Sequence, residues 1–421
     1  MRNDQIASAI GESQGSLVSR PCDAVVAGHL CLDIIPSLTS HDFVFDAGKL
    51  QEVGPVVMST GGPVSNTGLA LNKLGISSRL MGKVGLDYFG QIVLGIIDAH
   101  GAGLSAGMIK VPGEVTSYSL ILSPLGADRM FLHCPGCNDT FGADDIDYDA
   151  VNNARLFHFG YPPLMKRVSQ NNGEELCRLL RSAKETGVTT SLDMCMPDPH
   201  GYAGTVNWPA VLAAALPNVD IYMPSLEETL VMSYPDKYGS FTGKHQDLPV
   251  SLGSGLLSSI ASDLLSLGPA IVGLKLGRLG LYLKTGDGRS FESLGRACPS
   301  DLAPWINREL WSPCFKVDVL GTTGAGDATI AGFFASLLRG ESPERCMTLA
   351  CAVGACNVEA ADALSGLLNW EKTRDRLRAG WARFDLPLEP AGWHNDPLTG
   401  VWRSCADTGA RPIPDGPRRN L

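Results

Sequence analysis

Two glycine-rich segments carry the residues of this chain that could do chemistry. The first is Gly321-Thr322-Thr323-Gly324-Ala325-Gly326-Asp327, set between the strand-like run Val317–Leu320 and a long apolar stretch. The pattern predicts a strand-like run, a tight turn and a helix over Gly326–Leu338. The first N–H groups of such a helix have no carbonyl one turn back and point outward. With the helix dipole they form an anion site suited to phosphate. Asp327 stands at its mouth, where a carboxylate can take a proton from an attacking hydroxyl. The plainer alternative is a strand–helix turn with Asp327 as its cap.

The second segment is Gly61-Gly62-Pro63-Val64-Ser65-Asn66-Thr67-Gly68, followed by Gly82-Lys83-Val84-Gly85-Leu86-Asp87-Tyr88-Phe89-Gly90. A Gly-Gly turn before a helix, with Asn66 one turn in, can offer backbone N–H groups and an amide to ligand hydroxyls. Ordinary helix capping is the alternative. Other glycine motifs fail on detail. A Walker loop needs Gly-Lys-Ser/Thr, and no Lys follows Gly326. A dinucleotide fingerprint needs a third glycine where Thr329 stands, and Gly28-His29-Leu30-Cys31 is no better, so nicotinamide chemistry is disfavoured. His133-Cys134-Pro135-Gly136-Cys137 is a lone CxxC with no second Cys/His pair nearby, which reads as a Pro-Gly turn rather than a metal or redox site.

These residues need elements to position them. Strands are expected at Ala24–Gly28, Arg155–Gly160, Thr189–Asp193, Asp220–Met223, Ala270–Leu276 and Leu281–Thr285. Helices are expected at Ser65–Leu74, Asp87–His100 with Asp87 as N-cap, Glu174–Glu185, Trp208–Ala215, Ser225–Met232 and Arg345–Glu359. Ser225 with Glu228 three residues on is a capping-box pattern. Alternating strands and helices imply a mainly parallel sheet covered on both faces. Two β-rich stretches, near 37–60 and 113–140, break that alternation and read as a small separate sheet. Residues 1–20 read as a loose arm, 233–254 and 287–312 as Gly/Ser/Pro/Asp-rich insertions, and 386–421 as an extended or loose tail.

Composition bounds the function. A formal charge of −10 argues against broad binding to nucleic acid or an anionic membrane, though one local anion site is compatible with it. At 44% hydrophobic and 19% charged residues the chain can bury a large core. No stretch reaches the length of a spanning helix, and the N-terminus lacks a secretory h-region, so a cytoplasmic protein is expected. The 12 cysteines lie mostly in apolar segments and read as buried thiols.

The motif order resembles the PfkB family, the ribokinase-like sugar and nucleoside kinases. An early strand ends Gly28-x-x-x-x-Asp33; then come Gly61-Gly62…Asn66, Gly82-Lys83-Val84-Gly85-x-Asp87-x-x-Gly90, and Gly324-Ala325-Gly326-Asp327. The resemblance spans roughly residues 22–385. It implies a ribokinase-like three-layer α/β/α sandwich with a small β-sheet lid, the two β-rich excursions, above the acceptor. It implies an ATP-dependent kinase of a small carbohydrate or polyol, with magnesium. Asp327 would be the general base, and the N–H groups around Gly324, Ala325 and Gly326 the anion hole. Asp33, Gly61, Gly62, Asn66 and Arg129 of the lid would touch the acceptor. Ser225, Lys275, Gly277, Gly280 and Thr322 would border the nucleotide, and Glu228 would reach the metal through water. The chain departs from the family at Ser225 (usually Asn), at Gly321 (usually Asp), which puts a monovalent-cation site in doubt, and at Val64 and Gly68. Gly160 stands where ribokinase carries Glu, so ribose is not favoured. A nucleoside or 2-keto-3-deoxy sugar acid kinase, or a catalytically weak sugar or nucleotide sensor, are the alternatives. The lid's open edges could pair two copies.

Overall fold

Alternation along β1 (Ala24–Gly28) sets up the layers. Ala24 and Val26 turn to one apolar core and Val25 and Ala27 to the other, and every residue of the strand is buried. The structure is a computed structural model, and it describes residues 22–38, 48, 50–123, 130–239, 248–386 and 392–409. The first core is closed by the helices Pro63–Lys73, Ala325–Leu337 and Pro343–Asn357. The second is closed by Glu174–Glu185, Trp208–Ala215, Leu226–Ser233 and Leu248–Ser266. In Glu174–Glu185 the buried residues are Leu176, Leu179, Leu180 and Ala183, one helical face.

The remaining strands, in chain order, are β2 (Cys31–Pro36), β3 (Val56–Gly61), β4 (Ser78–Met81), β5 (Lys83–Gly85), β6 (Ile109–Val111), β7 (Tyr118–Leu122) and β8 (Met130–Cys134). They continue with β9 (Leu156–Gly160), β10 (Thr189–Asp193), β11 (Ile221–Tyr222), β12 (Ile271–Lys275), β13 (Leu281–Thr285), β14 (Glu309–Ser312), β15 (Trp393–Asn395) and β16 (Trp402–Ser404). The main sheet runs β15-β16-β14-β13-β12-β11-β10-β9-β1-β4. Its half from β4 to β12 is parallel, and the rest is antiparallel. The small sheet is β3-β2-β7-β8, and β5 pairs with β6. This is the three-layer architecture with a separate small sheet that the alternation predicts.

Four expectations need correction. The small sheet begins at Cys31, not near 37, because β2 pairs with β3 and β7 rather than prolonging β1. The run Val317–Leu320 is no strand: it is a largely exposed loop between the sheet and the helix, with no strand beside it among the described residues. The presumed insertions carry structure, since Leu248–Ser266 is helical with a break at Gly253 and Glu309–Ser312 is β14. The stretch 386–421 is not all loose: β15 and β16 extend the main sheet. Trp393 packs against Tyr282 and Trp311, and Arg403 and Asp407 pair with Glu344 and Arg308. The arm 1–20, part of the first β-rich stretch (39–47 and 49) and Arg129 lie outside the described residues.

Local capping follows the sequence signals. Asp87 accepts from the Gly90 N–H at 2.7 Å and caps Tyr88–Ala99. Cys134-Pro135-Gly136-Cys137 forms the expected turn, a short 3-10 segment over Gly136–Thr140. His158 is a core residue, its Nδ1 3.1 Å from Ser191 Oγ.

Candidate active site

Asp327 is the third residue of the helix Ala325–Leu337 and is fully buried. Gly324 caps that helix with φ 72°, and a Cβ there would lie 2.6 Å from Ala363 Cβ. Only glycine meets both the left-handed turn and the packing. Three donors converge on the carboxylate. Asn66 Nδ2 and Tyr161 OH donate to Oδ2 at 3.0 and 2.9 Å, and Thr67 Oγ1 donates to Oδ1 at 3.2 Å. Asn66 and Thr67 come from the helix Pro63–Lys73, so the two glycine-rich segments meet at one carboxylate. Burial raises the Asp327 pKa; the Asn66 hydrogen bond, the Lys275 charge, and the Tyr161 and Thr67 hydroxyls oppose it.

The anion side assembles at the C-terminal ends of parallel strands, where open α/β sheets bind ligands. Lys275 ends β12 and Asp193 ends β10, and Lys275 Nζ lies 2.6 Å from Asp193 Oδ1. A Cβ on Gly326 would sit 3.3 Å from that same ammonium, so Lys275 lies over the first turn of the Asp327 helix. A cation at a helix N-terminus is unfavourable by itself. Here carboxylates hold it: burial works against the Lys275 charge, but Asp193 and Glu228 outweigh it and raise its pKa. Burial likewise pushes Asp193 above the ordinary carboxylate range while Lys275 pulls it back. At 2.6 Å the geometry is that of a charged pair. The Asp193 Oδ2 atom is buried without a partner.

Ser225 and Glu228 form the expected capping box. The Ser225 N–H donates to Glu228 Oε2 at 2.7 Å, and the Glu228 N–H donates to Ser225 Oγ at 3.1 Å. The Ser225 hydroxyl is thus committed to the helix end. Burial raises the Glu228 pKa, and Lys275 is the first influence against it. Gly277 and Gly280 lie in the β12–β13 turn, and the space where a Gly277 side chain would stand is open. Thr322 is exposed in the loop before the helix, its carbonyl accepting from the Ala325 N–H at 3.3 Å. A Cβ at Gly321 would lie 2.8–2.9 Å from the Ala361 and Ala360 carbonyls, so no side chain fits there.

On the other side of Asp327, Asp33 of β2 is buried opposite Ser59 and Ser119. Cys31 Sγ donates to Asp33 Oδ1 at 3.3 Å, and a Cβ on Gly61 would sit 2.5 Å from Asp33 Oδ2. Gly62 has φ 88°, and a Cβ there would reach 2.6 Å from His29 Nδ1. Asp33, Gly61, Gly62 and Asn66 therefore share one wall under the small sheet, next to Asp327. Several residues here escape sequence reading. Tyr161 takes φ 66° directly after β9, a left-handed conformation rare for a bulky residue, and so reaches Asp327. Gly160-Tyr161-Pro162-Pro163 signals a sharp turn but not where the phenol goes. Thr67, His29 and His133 likewise come into place only through distant contacts.

The arrangement sets a buried carboxylate beside a helix N-terminus and an ammonium, with a polar wall opposite. A family model described as pfkB family carbohydrate kinase matches residues 23–291 and 307–369. An uncharacterized sugar kinase of Archaeoglobus fulgidus is 27% identical over 299 residues, 71% of this chain and 98% of that protein. A probable chloroplastic fructokinase-6 of Arabidopsis thaliana is 25% identical over 374 residues, 87% of this chain and 84% of its own. In fold, the Arabidopsis thaliana ribokinase solved with ribose and ATP superposes with a TM-score of 0.64 at 18% identity, over 85% of this chain and 99% of that one.

Proposed function

The chain belongs to the pfkB family of carbohydrate kinases, and from that premise we propose that it transfers the γ-phosphoryl group of ATP to a hydroxyl of a small sugar. The observation that carries this reading is Asp327: a fully buried carboxylate on the first turn of a glycine-capped helix, held by donors from the second glycine segment, with Lys275 beside it. The acceptor lies between the small sheet and Asp327, against Asp33, Gly61, Gly62 and Asn66. Its hydroxyl oxygen attacks the γ-phosphorus, its proton passes to an Asp327 oxygen, and the bond to the β,γ-bridging oxygen breaks to release ADP. Oδ1, which takes one donor from Thr67, is the oxygen with room to accept. The N–H groups of the first helical turn and the Lys275 ammonium offset charge on the transferring group. Most of the catalytic effect is positioning and charge, as in phosphoryl transfer generally.

Nucleotide lies along the turn at Gly277–Gly280 and the loop at Thr322 in this reading. Among the described residues no three Asp, Glu, His or Cys side chains group to hold a metal by themselves. The oxygen donors Asp193 Oδ2 and Glu228 suit magnesium, a hard cation held largely by water and phosphate. When bound with ATP, magnesium would neutralise phosphate charge. No side-chain carboxylate is available at Gly321 for a monovalent cation.

The kinase unit of this reading runs over 21–385 and takes in the sheet-extending strands β15 and β16, with two copies paired through the lid. Exposed Val56, Val57 and Met58 of β3 and Met130, Phe131 and Leu132 of β8 are the apolar edges such a dimer would cover. A coupled ADP-release screen of sugars and nucleosides tests the activity. Release is expected to depend on an added sugar and on magnesium. Release that ignores every sugar and nucleoside, or none at all, refutes the reading.

A further inference from the structure

Three imidazole nitrogens at the acceptor wall have no partner. His29 is buried, with neither Nδ1 nor Nε2 hydrogen-bonded, and His133 Nε2 is buried and unbonded too. Burial holds His29 well below its ordinary pKa, with His133 adding to the effect, and burial lowers His133 as well, against Asp139. A neutral imidazole carries one donor and one acceptor, and leaving these unmade in a buried place is costly. Such orphans in a native fold ask for a missing partner.

Their position says which partner. His29 follows β1 directly, and its ring lies 5.2 Å from His133 on the lid strand β8 and 6.2 Å from Tyr161, whose hydroxyl is on Asp327. The Gly62 backbone is against the His29 ring, and His133 Nδ1 meets Ser119 Oγ at 2.9 Å. Ser119 lies opposite Asp33. The two rings therefore bridge the sheet and the lid at the wall where the acceptor is placed. Among the described residues, the groups around them are neutral or acidic: Cys31, Asp33, Ser119, Asp139, Tyr161 and Asp327. Lys83, in the neighbouring strand β5, is tied to Asp145 at 2.9 Å and to the Thr140 carbonyl. A hydroxyl both donates and accepts, so it matches a neutral imidazole of either tautomer, whereas a carboxylate would meet Asp33 and Asp327.

We propose that His29 and His133 bind the non-reacting hydroxyls of the acceptor and restrict it to an uncharged sugar or polyol. This rests on the kinase reading for the acceptor's place, but its test separates the two. Binding of D-fructose, D-ribose and 2-keto-3-deoxy-D-gluconate is measured by calorimetry without nucleotide, and turnover with magnesium–ATP. The proteins are the intact chain and its His29→Leu, His133→Leu, His29→Gln and His133→Gln variants, each checked by thermal melting. A neutral sugar binds the intact chain, and the sugar acid does not. Each Leu variant raises the Kd and KM for that sugar about tenfold or more, with kcat and the KM for ATP within about twofold. Gln, which keeps a donor and an acceptor, recovers most of the loss. A purely structural role would move melting temperature or kcat instead. Leu variants that bind sugar like the intact chain, preference for the sugar acid, or no binding of either neutral sugar overturns the proposal. Sugar binding that weakens in the Leu variants, with no ATP-dependent turnover in the intact chain, sinks the kinase reading alone.

Discussion

Replacing Asp327 by Asn separates chemistry from architecture at this site. Asn has the same shape, and its oxygen can take the place of Oδ2, accepting from Asn66 Nδ2 and Tyr161 OH. Its amide then faces Thr67 Oγ1, a hydroxyl that can turn from donor to acceptor. No buried group is left unmatched, so the stability cost is about 1 kcal/mol. The base itself is gone, because an amide does not take the proton. General-base catalysis contributes about 10²–10⁴-fold, which is about 2.7–5.5 kcal/mol of barrier. The helix N-terminus and Lys275 remain, so ATP affinity stays near that of the parent and some turnover survives. The assay is steady-state ADP release at saturating sugar and magnesium–ATP, with nucleotide affinity from calorimetry. Turnover within about threefold of the parent refutes the assignment of Asp327 as base. A comparable loss of ATP binding refutes the claim that the variant leaves the anion site intact.

Tyr161→Phe removes a donor that lowers the Asp327 pKa, so the acid limb of the kcat/KM profile moves to higher pH; no shift, or an acid shift, contradicts the contact. Gly326→Ala folds, because its Cβ would meet only the movable end of Lys275 at 3.3 Å, but it crowds the anion site and lowers kcat/KM for ATP about tenfold or more in initial-rate assays. Glu344→Gln removes the charge from a pair in which Arg308 and Glu344 are both fully buried, 2.6 Å apart; Arg308 keeps Asp407 at 2.8 Å, so the cost in urea unfolding is about 1–3 kcal/mol. Glu341→Gln, which breaks the half-exposed Arg345 pair, costs less than about 1 kcal/mol in the same measurement. Phe131→Arg places a charge on the exposed edge strand of the lid, and sedimentation is expected to report a lower mass than for the parent if the lid joins two copies.

Features set by neighbours in the chain were readable from residue order. Gly324 before a helix, Asp87 and Ser225 as caps, and the apolar spacing of Glu174–Glu185 each depend on backbone geometry within one or two turns, and the structure carries all of them. The core of the candidate site was legible for the same reason: Gly324-Ala325-Gly326-Asp327 holds turn, helix start and carboxylate in consecutive residues. Where sequence reading failed, the deciding partner was far away. Val317–Leu320 looks like a strand, but among the described residues no strand lies beside it to complete a ladder. The stretch after 386 has no periodicity of its own and becomes sheet only because β14 offers an edge and Arg308 and Glu344 offer charges.

The sequence by itself determined the parallel α/β architecture, the glycine turns and the place of a carboxylate, Asp327, at the start of the helix behind Gly324. Burial patterns of period two and near four, and glycine's access to left-handed backbone, act locally and do not need the rest of the chain. Only the tertiary structure decided what surrounds that base. Asn66 and Thr67 reach Asp327 across some 260 residues, Lys275 is held by Asp193, and a strained turn delivers Tyr161. His29 meets His133 because the lid strand β8 brings its ring beside the residue that follows β1. The field at Asp327 and the shape of the acceptor wall are sums over such distant contacts. No order of residues along the chain prints those sums, because they exist only once burial has removed water from between the groups.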